Sequence, residues 1–209
     1  MAQNYSNWIE KLKNKHGKTI NRNKNSVQMY KYLIDNFSTD ILSNSDYQTT
    51  YRDFFQTQHG RGKMWHDVYF KFLQSLKKRY INTPPQLSDY KNELKNFYNL
   101  QLNAGLSRPK VETSFISKAL HMLNHDLPIY DGNVVETLLH KSNRLVYQQK
   151  TVADKIKISE QLYMEIDTAI KNTTQNKIIN EFRTAFGDDA VGISDVKIVD
   201  FYYWIIYNG

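Results

Sequence analysis

The chain's densest chemistry lies in Leu127-Pro128-Ile129-Tyr130-Asp131-Gly132-Asn133-Val134. Pro128 fixes its own φ and lacks an N–H, so the segment is stiff. Gly132 lets the backbone turn where a side chain would clash. An amphipathic run from Val111 to Leu123 leads in, and an apolar run opens at Val134 and continues through Leu138, Leu139 and Leu145. Asp131 therefore stands just before the first turn of a helix, where free N–H groups and the helix dipole favour an ionised carboxylate. Such an acid can cap the helix and do nothing more, or it can hold a fixed negative charge beside a reacting centre. Neither flank alternates with period two, so Asp-Gly is not read as a hairpin turn.

Other polar clusters carry weaker chemistry. His121 and His125 have the His-x3-His spacing of metal ligands on one helical face, but Asn124 breaks the helix between them and no third ligand is evident, so no metal is expected. His125 and Asp126 read instead as helix-exit residues near Asp131. Gln56 to Lys63 combines two glycines, His59, Arg61 and Lys63 ahead of a helix starting near Met64. Backbone amides and cations in that position suit a phosphate, although the spacing is not that of a Walker A loop; the plain alternative is an exposed loop. Lys77, Lys78 and Arg79 close a helix and complement its dipole.

These groups need scaffolding, and the periodicity supplies helices. Short helices are expected over 1–16, from Ser26 as cap through Ile41, and around Tyr47, Tyr51, Phe54 and Phe55. A strong one follows from Met64 to Ile81, with Trp65, Val68, Phe72 and Leu76 on its apolar stripe. Thr83-Pro84-Pro85 is a hard stop. Ser88 opens a helix to about Leu102, and Asn103 to Pro109 forms a turn into the Val111–Leu123 helix. After Asp131, helices are expected over 133–148, 152–171, 175–186 and 195–207, the last with Val196, Val199, Tyr203 and Ile206 on its core face and Ser194 as cap. With no convincing strand, the fold expected is all-α: one domain of two closely packed lobes divided near 82–87, with a helix-hairpin-helix-like unit and the Asp loop at 88–134.

Composition narrows the function. The 209 residues include 40% hydrophobic and 13% aromatic side chains, enough for a substantial core. There is no cysteine, which excludes disulfides, thiolate zinc and iron–sulfur clusters. No run approaches membrane-spanning length and no signal-peptide pattern opens the chain, so a cytoplasmic monomer is the expectation. The net charge of +7 favours a polyanionic partner, unless an Asn/Lys/Tyr-rich composition is its whole cause.

Pro128-Ile129-Tyr130-Asp131-Gly132-Asn133-Val134 resembles the corresponding Pro-Ile-Leu-Asp-Gly-Asn-Val segment of adenine-mismatch DNA glycosylases. More broadly it is similar to the Gly/Pro loop and Asp of the helix-hairpin-helix base-excision superfamily. The match is short, has a helix-turn-helix upstream, and leaves about half of the chain without a residue-level counterpart. The resemblance implies a DNA glycosylase in which Asp131 is catalytic, no cofactor is needed, and the partner is double-stranded DNA. It assigns phosphate binding to the hairpin turn, here Gly105, Ser107, Arg108 and Lys110, with Arg61 and Lys63 as further backbone contacts. Only one of the family's two turn glycines is present, with Pro109 near the place of the other.

In such enzymes a carboxylate stabilises the oxocarbenium-like sugar, and the extruded base needs a pocket with stacking surfaces. The pocket residues expected are Tyr130, Asn133, His125 and Trp65, with Tyr98 and Trp204 as further aromatics; apart from Tyr130 these rings equally suit a core. Bifunctional members add a Schiff-base lysine, whose register falls near Glu112 or Thr113. Lys110 and Lys118 are the nearby lysines and neither is in register, so a monofunctional enzyme is expected, with Lys118 a solvated helix residue. The competing classes are a non-catalytic nucleic-acid binder and a helical protein-interaction module.

Overall fold

Helix ends in this chain are set by small polar side chains. Asn25 opens α2 (Ser26–Asp35) with a capping box: its side chain accepts from Val27 N and Gln28 N, both at 3.0 Å, and the Gln28 side chain reaches back to Asn25 N. Ser26, expected as the cap, is the first helical residue instead and donates to Lys15 O. Asn44 opens α3 (Ser45–Phe55) by accepting from Tyr47 N, and Ser194 accepts from Lys197 N at the start of α10 (Asp195–Tyr207). Ser88 makes no side-chain cap; Asp89 accepts from Gln86 N there.

The computed structural model describes residues 7–17, 23–57, 61–172 and 175–207. His59 and the first six residues of the helix expected over 1–16 lie outside the described residues. The remaining helices are α1 (Trp8–Lys13), α4 (Lys63–Arg79), α5 (Asp89–Asn103), α6 (Thr113–Leu123), α7 (Gly132–Leu138), α8 (Val152–Asn172) and α9 (Asn176–Phe186), with a 3-10 helix at Gly187–Ala190. No strand occurs among the described residues, so the fold is all-α. None of the described helices is long and apolar enough to cross a membrane. The helix expected over 133–148 stops at Leu138, because His140 enters the left-handed region at φ 52° and the chain continues as turns.

One hydrophobic core runs through the molecule. α5 packs on α4, α6 and α8, while α1 packs on α2, α9 and α10. Residues 82–87 lie in the segment that joins α4 to α5, and those two helices touch each other. The helices from the two ends of the chain come together, and α7 bridges α10 to α8. Where α4, α5 and α6 meet, the core is aromatic: Trp65 stacks on Tyr69 at 5.1 Å, and Phe97 and Phe115 meet both rings.

The turn between α5 and α6 has a defined form. Gly105, at φ 71°, carries the left-handed residue of a Schellman end: Leu106 N donates to Gln101 O and Gly105 N to Leu102 O. The Gln101 side chain, 1% exposed, then accepts from Lys110 N and donates to Lys110 O, replacing the ladder rung that the loop lacks.

Candidate active site

The Asp loop is tied to α6 by two of its side chains, one turn apart. Ser117 Oγ accepts from Tyr130 N at 2.9 Å, and the His121 Nδ1–H donates to Leu127 O at 2.6 Å. Lys118 lies between these anchors. Fixing residues 127–130 against α6 therefore brings the next residue, Asp131, towards Lys118. Asp131 is the N-cap of α7, its Oδ1 accepting from Asn133 N at 2.9 Å. Gly132 is needed for space rather than for φ: a Cβ there would stand 3.2 Å from Asn143 Cβ.

Asp131 and Lys118 line one cavity of about 240 Å³. Two more charged residues line it, Lys197 and Asp200 of α10, and so do Phe54, Phe55, Phe201 and Trp204. Asn133, Gln56 and Ile129 complete the wall. The cavity thus sits where the end of α3, the middle of α6, the Asp loop and α10 converge.

Its electrostatics are unusual for a helical core. Lys118 is only 8% exposed, and burial lowers its pKa, with Lys197 pushing the same way and the Asp131 and Asp200 carboxylates opposing. Its ammonium donates to Phe55 O, 3.3 Å away at the C-terminal end of α3, where orphan carbonyls attract cations. Lys197 and Asp200 form an ion pair at 2.5 Å, at 4% and 8% side-chain exposure. Burial raises the Asp200 pKa, Asp131 adds to the rise, and Lys197 and Lys118 oppose it. Two cations and two carboxylates thus share a small, aromatic-walled space.

Of the expected pocket residues, Asn133 and Trp204 are in this wall, and four are not: Trp65, Tyr130, His125 and Tyr98, the last half-buried against the core. Trp65 is 5% exposed and belongs to the aromatic core under α4, because its indole fills the space between Tyr69 and Phe115. Tyr130 is 4% exposed and turned into the protein, as alternation along the extended loop sends its side chain away from that of Asp131. Burial raises its pKa. His125 faces Tyr30: the Tyr30 hydroxyl meets His121 Nε2 at 2.6 Å and His125 Nδ1 at 3.3 Å. With His121 Nδ1–H given to Leu127 O, Nε2 is the acceptor for Tyr30, and a hydroxyl occupies the place a metal would take. Among the described residues no three His, Asp or Glu side chains converge as a metal would need.

The expected lysine register lands on Glu112, which is 6% exposed and pairs with Arg61 at 2.7 Å. Burial raises its pKa against the pull of Arg61. Arg61 is therefore committed to Glu112, with its guanidinium over the Trp65 and Phe115 rings, instead of being free for a phosphate. Lys118 is buried, not solvated. Lys110, Gly105, Ser107 and Arg108 are exposed on the hairpin turn, well placed for a backbone but outside the cavity wall. Lys63 is exposed and pairs with Asp67.

Lys197 and Asp200 carry no motif. Their legible trace is spacing: positions 197, 200, 201 and 204 follow the i, i+3, i+4, i+7 pattern of one helix face. The terminal run is apolar all round, so periodicity alone does not single out the buried face. Of the expected face only Val199 is fully buried, beside Ile198, Phe201 and Ile205, while Val196, Tyr203 and Ile206 are half-buried against the core.

No family model matches the chain, and no curated protein or solved structure matches it.

Proposed function

We propose that this protein is a DNA glycosylase that excises an extruded base and uses Lys118 as its nucleophile. The observation that carries the reading is that the Lys118 amine and the Asp131 carboxylate line one cavity with aromatic walls. The resemblance of the Asp131 loop to base-excision glycosylases supports it. A cavity of about 240 Å³ suits one flat ring system better than a larger ligand. The exposed cations of the hairpin turn and the net charge of +7 suit a phosphate backbone.

Each residue has a defined task. Burial favours the neutral amine of Lys118, which is the nucleophilic form. The amine adds at C1′ as the bond to the base breaks; the electron pair leaves with the base, and the proton shed by the new C1′-bound nitrogen goes with it. Asp131 stabilises the positive charge that builds on the sugar. Ring opening, with O4′ taking a proton from water, gives a protonated imine, from which loss of a C2′ proton to water expels the 3′ phosphate. This departs from the monofunctional expectation, in which water would take the place of Lys118.

The test is incubation with duplexes carrying modified or mismatched bases, read by alkali cleavage and by borohydride trapping. Wild type should release a base and be trapped on DNA. Lys118→Met should abolish trapping, and Asp131→Asn should suppress base release while DNA binding persists. Release without trapping would restore a water nucleophile. Binding that is indifferent to Asp131→Asn and accompanied by no release would make the protein a non-catalytic binder.

A further inference from the structure

Lys197 and Asp200 remain unused by the mechanism above, and they are an odd choice for structure alone. They are 3% and 6% exposed on an otherwise apolar face of α10. A buried ion pair is commonly matched or bettered in stability by apolar residues of the same volume, since desolvation offsets the attraction. Yet both charges line the cavity. The Lys197 ammonium lies over the Phe201 ring at 4.4 Å and near the Phe54 ring at 5.0 Å, so the charged pair is flanked by flat apolar faces. Among the described residues, neither charged group has a side-chain hydrogen-bond partner other than the other. An ammonium has three donors and a carboxylate about four acceptor sites. The Tyr30 and Phe55 rings also lie within 6 Å of the ammonium, and rings take up no conventional hydrogen bond, so the pair keeps hydrogen-bonding capacity at the cavity wall.

We infer that Lys197 and Asp200 read the base itself, and that the base is a neutral lactam. This rests on the glycosylase reading. A lactam edge presents a carbonyl next to a ring N–H. The carbonyl accepts from the Lys197 ammonium and the N–H donates to the Asp200 carboxylate, while Phe54 and Phe201 border the ring. Lys197 has a second effect. A neutral base departs with negative charge, much of it on that carbonyl oxygen, and an ammonium already in place stabilises the charge as it forms. An amidine edge such as that of adenine has no carbonyl to receive this help. A cationic methylated purine would be repelled by the same ammonium. Asp200 also holds Lys197 in position, so the two act as a unit.

The experiment uses the intact chain, as wild type and as a Lys197→Met/Asp200→Leu double variant, which removes both charges together and strands neither. Two rates are measured. One is base release from duplexes containing 8-oxoguanine, hypoxanthine or uracil, against 3-methyladenine and mismatched adenine. The other is borohydride trapping on a duplex with a preformed abasic site, where there is no base to read. Wild type should release at least one lactam base about tenfold or more faster than the adenine and methylated substrates. In the double variant, release should fall about 10- to 100-fold further than trapping does. Equal or faster release of 3-methyladenine or adenine would overturn the inference. So would a parallel fall of release and trapping, which would mark the pair as structural. Trapping by wild type with no lactam base released would overturn it and spare Lys118; absence of both activities would end the glycosylase reading as well.

Discussion

Asp131 is asked to do two things at once, and the two can be separated. As the N-cap of α7 it needs only a short side-chain acceptor, and asparagine serves nearly as well as aspartate in that position. Asp131→Asn should therefore leave the thermal midpoint nearly unchanged while removing base release, whereas Asp131→Ala should lose the activity and also about 1 kcal/mol of stability. A melt and an activity assay on both variants make the comparison. Equal activity in wild type and Asp131→Asn would reduce the residue to a cap.

Lys118 has the opposite balance, since burying it opposes folding. Its folded pKa is lowered, so between that value and the unfolded value of about 10.4 the unfolded chain holds a proton that the folded chain has lost. Stability then rises with pH across this window, and below it the buried charge is a steady penalty. Lys118→Met should raise Tm near neutral pH by about 2–4 °C, with a gain that shrinks as pH climbs through the window. A destabilised variant at neutral pH would mean that the bond to Phe55 O outweighs desolvation. The trapping rate should rise with pH through the same lowered pKa. Removing the Asp131 charge should shift that rise to lower pH, because Asp131 helps retain the proton.

At the scale of elements, α6 organises the site through three side chains, Ser117, Lys118 and His121, that face inward together. His121 is fully buried and holds both the Asp loop and Tyr30. Burial, Lys197 and His125 all keep its pKa well below the usual value, so the folded protein holds it neutral. Below about pH 6.5 the unfolded chain takes up a proton that the folded one refuses. Stability should therefore fall with acidification by about 1.4 kcal/mol per pH unit until the folded pKa is reached. Denaturant melts between pH 7.5 and 5 would show the slope, and His121→Leu should flatten it. The hairpin turn depends on backbone geometry instead. A Cβ at Gly105 would meet nothing within 4 Å, so Gly105→Ala should cost only its left-handed φ, about 1–2 kcal/mol.

At the scale of the whole molecule, α1 packs against α10, and the cavity lies where α10, the end of α3, α6 and the Asp loop converge. The basic hairpin turn is a separate feature, and its role is testable by salt. DNA affinity should fall steeply with ionic strength, and replacing Arg108 and Lys110 together by alanine should lower the slope of the log–log plot by about 2. Little salt dependence would favour a protein-interaction module. A steep dependence left intact by the substitutions would move the DNA path elsewhere.

The sequence by itself determined most of the helices, the α5–α6 pair and the position of Asp131 as a helix cap, because these follow from local periodicity, capping chemistry and the stiffness of Pro128; it overran the ends of α2 and α7, which stop at Asp35 and Leu138. Tertiary structure alone decided which charges meet. Lys118 looks solvated in a one-dimensional reading, since lysine on an amphipathic helix normally faces water. Only the packing of α3 and α10 over α6 buries it. Trp65 and Tyr130 look like pocket aromatics for the converse reason: an aromatic ring satisfies a core and a stacking site equally, and the neighbours that distinguish them are far away in the chain. The same holds for Lys197 and Asp200, whose helix is apolar on every side, so no period in the sequence can say which face the rest of the protein covers.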